Sequence, residues 1–186
     1  MSVLDSIHAR RSIKQFTDRE ISREEIERLL DAAVQAPNHR LTQPWRFYVL
    51  GPQARRAFGR VLGGRKAKRV ADPEAAQAVI TKVSEAHAAL PAMLVAAMLV
   101  DENPEIRQED YASMAMAVQN ICLAAQATGL GTHLKSGAVM DDPGAREAFG
   151  VADDERVMVM MELGEPAAIP EPRARKTASE CTTWVD

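Results

Sequence analysis

The segment that decides the fold is DYASMAMAVQNICLAAQAT, residues 110–128. Its apolar side chains, among them Met114, Val118 and Ile121, recur at helical spacing and cover much of the remaining surface as well. A helix that is apolar over most of its circumference is buried on most sides. The chain has 186 residues, which suffice for one compact domain with its own core. We therefore expect this helix at the centre of the fold. A subunit interface is one way to bury the apolar surface that the rest of the domain leaves exposed.

Helices and strands follow one another irregularly on both sides of this segment. Ser22 and Glu25 form a capping-box pattern that begins a helix, and Pro37 ends it because the residue before a proline leaves the α region. The other predicted helices cover residues 3–10, 53–62, 73–89 and 143–149. The predicted strands cover residues 45–50, 92–100, 132–136 and 157–163, although the apolar run 92–100 also suits a buried helix. This mixed order predicts an α+β fold in which helices cover a sheet, as one domain over residues 1–186 with an extended tail over about 166–186.

The composition narrows the classes of function. The formal net charge is −3, whereas nucleic-acid binders are usually strongly basic, so we expect no nucleic-acid partner. The longest apolar run, residues 90–100, is shorter than the roughly 20 residues of a membrane span, so we expect no membrane partner. Two distant cysteines and four histidines without a metal-ligand spacing predict neither a disulfide framework nor a metal site. No secretion signal is recognisable, and we expect a cytoplasmic protein.

Three segments carry side chains that suit an anionic ligand. RRSIK, residues 10–14, brings two arginines, a serine and a lysine together, and guanidinium groups bind phosphate well. The loop 36–45 carries polar side chains between two prolines, and GLGTHLKSG, residues 129–137, combines glycines with Lys135 and Ser136. Each segment also has a simpler interpretation. Residues 10–14 suit a solvated helix end, and the loop 36–45 suits an ordinary helix-to-strand turn. The G-x-G pattern at 129–131 is weak evidence by itself.

A fourth segment is strongly basic, because seven of the residues from 55 to 69 are Lys or Arg. We interpret it as a solvated face, since the chain as a whole is acidic. Binding of a phosphate or a nucleic acid is the alternative.

Four sequence segments, taken together, resemble the nitroreductase family of FMN-dependent oxidoreductases. They are RRSIKQF at 10–16, LLDAAVQAP at 29–37 followed by QPWRF at 43–47, AVQN at 117–120 followed by GLG at 129–131, and LGEP at 163–166. The segments occur in the family's order and span nearly the whole chain. The short length is similar to that of the minimal, YdjA-type subgroup.

The resemblance implies a nitroreductase-like α+β fold, with a central mixed or antiparallel sheet, in an intertwined homodimer that holds FMN at the subunit interface. It implies that hydride passes from NADH or NADPH to FMN and then to a nitroaromatic or quinone-like acceptor, in a ping-pong sequence. Because the cofactor carries this chemistry, no side chain is predicted as catalytic acid, base or nucleophile. Two alternatives stay open: a flavin-binding carrier or sensor without turnover, and a flavin-fragmenting or dehalogenating enzyme of the same fold.

The resemblance also implies roles for residues near the two ends of the chain. Arg10, Arg11 and Ser12 would hold the FMN phosphate and ribityl chain. Lys14 would approach the pyrimidine edge of the ring. A C-terminal cation at the phosphate would come from Arg173 or Arg175, between which the sequence does not choose.

Two inner segments complete the implied site. Gln35 and His39 would contact FMN from the partner subunit, in a loop whose other implied cofactor-binding residues are Asn38 and Gln43. The segment that would complete the phosphate side consists of Leu134, Lys135 and Ser136.

Overall fold

Residues 2–185 are described in a computed structural model of the chain. The α-helices in these residues are α1 (Val3–Ala9), α2 (Arg23–Ala33), α3 (Pro52–Ala67), α4 (Pro73–Ala88), α5 (Pro104–Ala127) and α6 (Pro143–Phe149). The strands are β1 (Trp45–Val49), β2 (Ala92–Leu99), β3 (Gly131–Lys135) and β4 (Glu155–Gly164). Every predicted helix and strand is present, and the run 92–100 forms a strand. The predicted α+β class is confirmed.

The four strands form one sheet in the order β1-β2-β4-β3. All three ladders are antiparallel, and β2 and β4 pair along their whole length at the centre. β3 is therefore an edge strand. An isolated parallel bridge joins Ser12 to Thr132 on this strand.

The sheet has a core on each face, because successive side chains of a strand point to opposite sides. Leu94 of β2 is buried against α2 and α5, where Leu29 and Ile121 are also buried. Met93 of the same strand is buried against α3 and α6 with Phe58. Both faces of β2 are thus covered, which explains its continuous apolar sequence.

The capping box predicted at Ser22 and Glu25 is confirmed. The Ser22 side chain accepts from the Glu25 backbone, and the Glu25 carboxylate accepts from the Ser22 backbone. α5 begins earlier than residue 110, at Pro104, because Asn103 Oδ1 caps it by accepting from the Glu105 backbone at 2.9 Å.

The basic stretch after residue 62 does not interrupt α3, contrary to expectation, and the helix continues through Gly63 to Ala67. A Cβ on Gly63 would lie 2.8 Å from the Ile80 Cα of α4, closer than real side chains approach. The glycine therefore serves close packing of α3 on α4 and does not break the helix.

The residues after β4 run along the surface without a helix or strand of the sheet, apart from a 3-10 turn at Ser179–Cys181. The start of this tail is bonded to residues 10–16, which we call the N-terminal segment. The Ala167 backbone donates to the Gln15 carbonyl at 3.0 Å, and Phe16 forms a bridge to Pro166. Among the helices of residues 2–185, none combines the length and the apolar character that crossing a membrane requires.

Candidate functional site

A cleft of about 930 Å³ lies between the N-terminal segment, β3 and the tail. We call it the cation cleft, after the five basic side chains in its lining: Arg10, Arg11, Lys14, Arg173 and Arg175. Within residues 2–185, none of these five forms an ion pair with a carboxylate. The lining also contains one carboxylate, that of Glu171. The cleft is therefore strongly positive and suits an anionic ligand.

Within the N-terminal segment, residues 10–16, the one buried side chain is Ile13, and it fixes the position of the segment. The Ile13 backbone donates to the Thr132 carbonyl at 2.9 Å, and a Cβ on Gly131 would overlap the Ile13 side chain. Ser12 and Lys14, on either side of Ile13, are exposed and line the cleft. The alternation in RRSIK thus puts the apolar residue inside and the polar ones at the cleft.

The tail places Arg173 and Arg175 in the cleft together. The sequence did not decide which of these two arginines lies at the phosphate, and in the structure both line the cleft. Of the predicted site residues, the cleft brings together Arg10, Arg11, Ser12 and Lys14 with both tail arginines.

The residues at the end of β3, Leu134 and Lys135, and the following Ser136 lie outside the lining of the cation cleft. Leu134 and Ser136 are exposed but are not part of the cleft lining. The Lys135 ammonium group contacts the Glu162 carboxylate across the β3–β4 ladder. The Lys135 side chain is thus occupied by a carboxylate and does not line the cation cleft.

Glu162 is the centre of a polar cluster that sequence reasoning missed. Its side chain is buried within β4, and besides Lys135 it accepts from His133 Nδ1, 2.9 Å from Oε2. A buried carboxylate is stable only when it is paired and hydrogen-bonded, as it is here. The signal in the sequence was one charged residue in the otherwise apolar run 157–163.

His87 of α4 faces the same carboxylate from the other side. His87 Nδ1 lies 2.7 Å from the Val83 carbonyl and donates to it, so that Nε2 carries the lone pair in the neutral ring. His87 Nε2 is buried without a hydrogen-bond partner, 3.9 Å from Glu162 Oε1. Burial lowers the pKa of His87, which favours this neutral form.

Within the described part of the chain, no group of three or more His, Cys, Asp or Glu side chains is arranged to hold a metal ion.

The α2–β1 loop is held rigidly by Asn38. Its Nδ2 donates to Thr42 Oγ1 and to Ser113 Oγ, both at 3.1 Å, and its Oδ1 accepts from the Gln43 backbone at 2.8 Å. The Thr42 hydroxyl also donates to the buried Asp110 carboxylate. Leu41 and Gln43 have φ of 52° and 47°, a strained conformation that such a network can maintain. Asn38 therefore shapes the loop, while Gln35 and His39 are exposed.

The loop and the cation cleft lie near opposite ends of α5. The loop is bonded to Asp110 and Ser113, whereas Arg11 of the cleft shares a second cavity with Gln126. At 1.5 Å per residue, the helix separates these positions by about 20 Å. Neither Gln35 nor His39 is part of the cleft lining of its own chain.

Comparison with known proteins fits this geometry. The sequence profile described as "Nitroreductase family" matches residues 7–165. The chain is 30% identical over 167 residues to "Putative NAD(P)H nitroreductase YdjA" of Escherichia coli (strain K12), with 89% of each protein covered. The structure resembles a nitroreductase-like family protein from Bacillus cereus, with 28% identity, a TM-score of 0.85, and coverage of 100% and 97% of the two chains. It also resembles, in fold, a nitroreductase with bound FMN from Bacteroides fragilis, with 19% identity, a TM-score of 0.75 and full coverage of both chains.

The α+β fold and these matches define the class of protein. This chain belongs to the nitroreductase family. The family predicted from the four sequence segments is confirmed, as is the similarity to the YdjA-type subgroup.

Proposed function

We propose that this protein is an FMN-dependent oxidoreductase that takes hydride from NADH or NADPH and reduces nitroaromatic or quinone-like acceptors in a ping-pong sequence. The observation that supports it most is the cation cleft, in which five basic side chains have no carboxylate partner within residues 2–185. The relatives named for NAD(P)H and for bound FMN support the same cofactors.

The residues of the cleft fit the cofactor's phosphate. Arg10 and Arg11 offer guanidinium groups, and Ser12 adds a hydroxyl on the same exposed side of the segment. Arg173 and Arg175 approach from the tail. We assign the phosphate to this group of side chains.

The rest of the site would come from a second copy of the chain. Gln35 and His39 are exposed on the α2–β1 loop, yet neither lines the cleft of its own chain. A homodimer that places the loop of one subunit at the cleft of the other brings both sets of residues to one cofactor.

Exposed apolar side chains support such a dimer. Val3 and Leu4 of α1 are 71% and 67% exposed, and Tyr111 and Met116 of α5 are also exposed. In the tail, Trp184 is 90% exposed. Apolar surface of this extent on adjacent helices is typical of a subunit interface.

When bound, FMN supplies hydride transfer between the nucleotide and a flat, electron-poor acceptor. The protein's residues bind and orient it. Lys14 places a cation at the exposed side of the N-terminal segment, where we assign it to the pyrimidine edge of the ring. A fixed cation at that edge stabilises the negative charge that develops on reduction.

The visible spectrum of the purified protein, supplied with FMN and mixed anaerobically with NADH or NADPH, tests the proposal. We expect a bound-flavin spectrum that bleaches with at least one nucleotide and recovers when a quinone is added. Flavin that binds but stays oxidised with both nucleotides would instead indicate a carrier or sensor. A protein that binds no flavin would contradict the proposed function altogether.

A further inference from the structure

We propose that His133 is a binding residue of the cation cleft and that Glu162 is the residue that positions it. The inference rests on the proposed function, because the ligand in question is the flavin assigned to the cleft. Neither residue is among the cofactor-binding residues predicted from the sequence.

The His133 ring is fixed at one of its two nitrogens. Glu162 lies opposite His133 in the β3–β4 ladder, and its Oε2 is 2.9 Å from His133 Nδ1. Because an ionised carboxylate only accepts hydrogen bonds, Nδ1 carries the hydrogen and donates it. The carboxylate therefore sets both the tautomer and the orientation of the ring, as carboxylates do for many functional histidines.

The second nitrogen, Nε2, is left for a ligand. Within residues 2–185 His133 Nε2 makes no hydrogen bond, and unlike His87 Nε2 it is not a buried atom without a partner. The His133 side chain is 20% exposed and lines the cation cleft. Since Nδ1 faces the buried carboxylate, the edge of the ring that reaches the cleft is the one that carries Nε2.

The charges around His133 differ on its two sides. On the sheet side are the Glu162 carboxylate, the Lys135 ammonium group and the His87 ring. On the cleft side, His8 and Glu171 line the same surface as the five cations. An anionic flavin offsets this excess of positive charge, and one of its polar groups is the hydrogen-bond partner of His133 Nε2.

The test is flavin binding to the full-length protein freed of flavin, measured by quenching of flavin fluorescence. FMN and riboflavin are the two probes. His133→Gln removes the imidazole ring and keeps a polar side chain. We expect this variant to bind FMN about tenfold more weakly than the wild type, because the contact at Nε2 is lost.

The riboflavin arm identifies which part of the flavin His133 contacts. The same loss of affinity with both probes places the contact on the ring or ribityl chain, and a loss with FMN alone places it on the phosphate. Gln77→Ala is the control, because Gln77 is exposed on α4 and is not part of the cleft lining. We expect it to change the affinity for either probe by less than about twofold.

Glu162→Gln tests the positioning role without relying on enzyme activity. Nitrogen NMR shifts of the neutral His133 ring should show hydrogen on Nδ1 in the wild type and a mixture of tautomers in the variant. A wild-type ring with its hydrogen on Nε2 would overturn the role of Glu162. Equal affinities of the wild type and His133→Gln for both probes would overturn the role of His133, whereas a wild type that binds neither probe would refute the proposed function itself.

Discussion

Asn38 Nδ2 donates a hydrogen bond of 3.1 Å to Ser113 Oγ, which joins the α2–β1 loop to the N-terminal half of α5. Ser113 is buried, so the loop is anchored in the interior although its tip is exposed. The exposed residues Gln35 and His39 are thereby held in fixed positions with respect to the longest helix.

Replacing Asn38 tests this anchor. Asn38→Ala leaves Ser113 and the Gln43 backbone without their partner, and unpaired polar groups are costly in the interior. We expect the free energy of unfolding to fall by about 1–3 kcal/mol in urea titrations. Gln77→Ala, on the exposed side of α4, is the control and should change it by less than about 0.5 kcal/mol. Equal effects of the two substitutions would show that Asn38 is no anchor.

The adjacent glycines of α3 provide a matched pair of variants. Gly63→Ala puts a Cβ 2.8 Å from the Ile80 Cα, whereas Gly64→Ala puts one into open space. We expect Gly63→Ala to lower the free energy of unfolding by about 1–3 kcal/mol through overpacking. Gly64→Ala should raise it by about 0.5–1 kcal/mol, because alanine loses less backbone entropy in a helix. Urea titration measures both, and a neutral Gly63→Ala would contradict the close packing of α3 on α4.

A charge on the exposed face of α5 tests the proposed dimer. Met116→Glu would place a carboxylate in the interface, where an unpaired charge is strongly unfavourable. We expect the dissociation constant of the dimer to rise at least about hundredfold in sedimentation experiments, together with a loss of bound FMN. Gln77→Glu adds the same charge on exposed α4 and should leave the dimer intact. If Met116→Glu sediments as the wild type does, this face is not the interface.

His87 makes stability depend on pH. Burial lowers the pKa of His87 in the folded protein, while the unfolded chain takes up a proton near the ordinary value of about 6.5. The contribution is therefore fully present above about pH 6.5 and is lost as the pH falls toward the folded-state pKa.

We accordingly expect urea titrations to give a lower free energy of unfolding at about pH 5.5 than at about pH 7.5. His87→Gln should reduce this difference, while lowering stability at both values because the ring also packs edge-on against Phe58. His8→Gln, at an exposed position, should leave the difference as it is. An unchanged difference in His87→Gln would mean that other groups cause it.

Replacing Arg10 tests the assignment of the FMN phosphate to the cation cleft. Arg10→Ala removes a cleft cation that has no carboxylate partner within residues 2–185, and should raise the Kd of FMN about tenfold to hundredfold, or about 1.5–3 kcal/mol. Arg23→Ala, which removes an exposed cation paired with Glu27 on α2, is the control. Flavin fluorescence measures both, and wild-type retention of FMN by Arg10→Ala would contradict the assignment.

Local patterns were sufficient to predict most of the fold. α6 has the predicted bounds 143–149, because Asp142 caps its start, Pro143 suits the first turn, and Gly150 ends it in the left-handed region. The end of α3 was not predictable, because a glycine that permits close helix packing and one that breaks a helix look alike in sequence.

The candidate site was predictable only where its residues are close in sequence. In RRSIK apolar and polar residues alternate within five positions, and its three cations line one cleft. Glu162 and His133 lie on different strands, and only the register of β3 and β4 makes them neighbours. The distance between the α2–β1 loop and the cleft likewise depends on how α5 packs, which no local pattern contains.

The bridge between Ser12 and Thr132 has a consequence for how the chain avoids aggregation. β3 is one of the two edge strands of the sheet, and an exposed edge with unpaired backbone groups can recruit strands from other molecules. The N-terminal segment covers part of this edge, with Ile13 seated over Gly131. The residues that carry the cleft cations therefore also shield the edge. A chain that lost them would lose its protection against self-association together with its ligand.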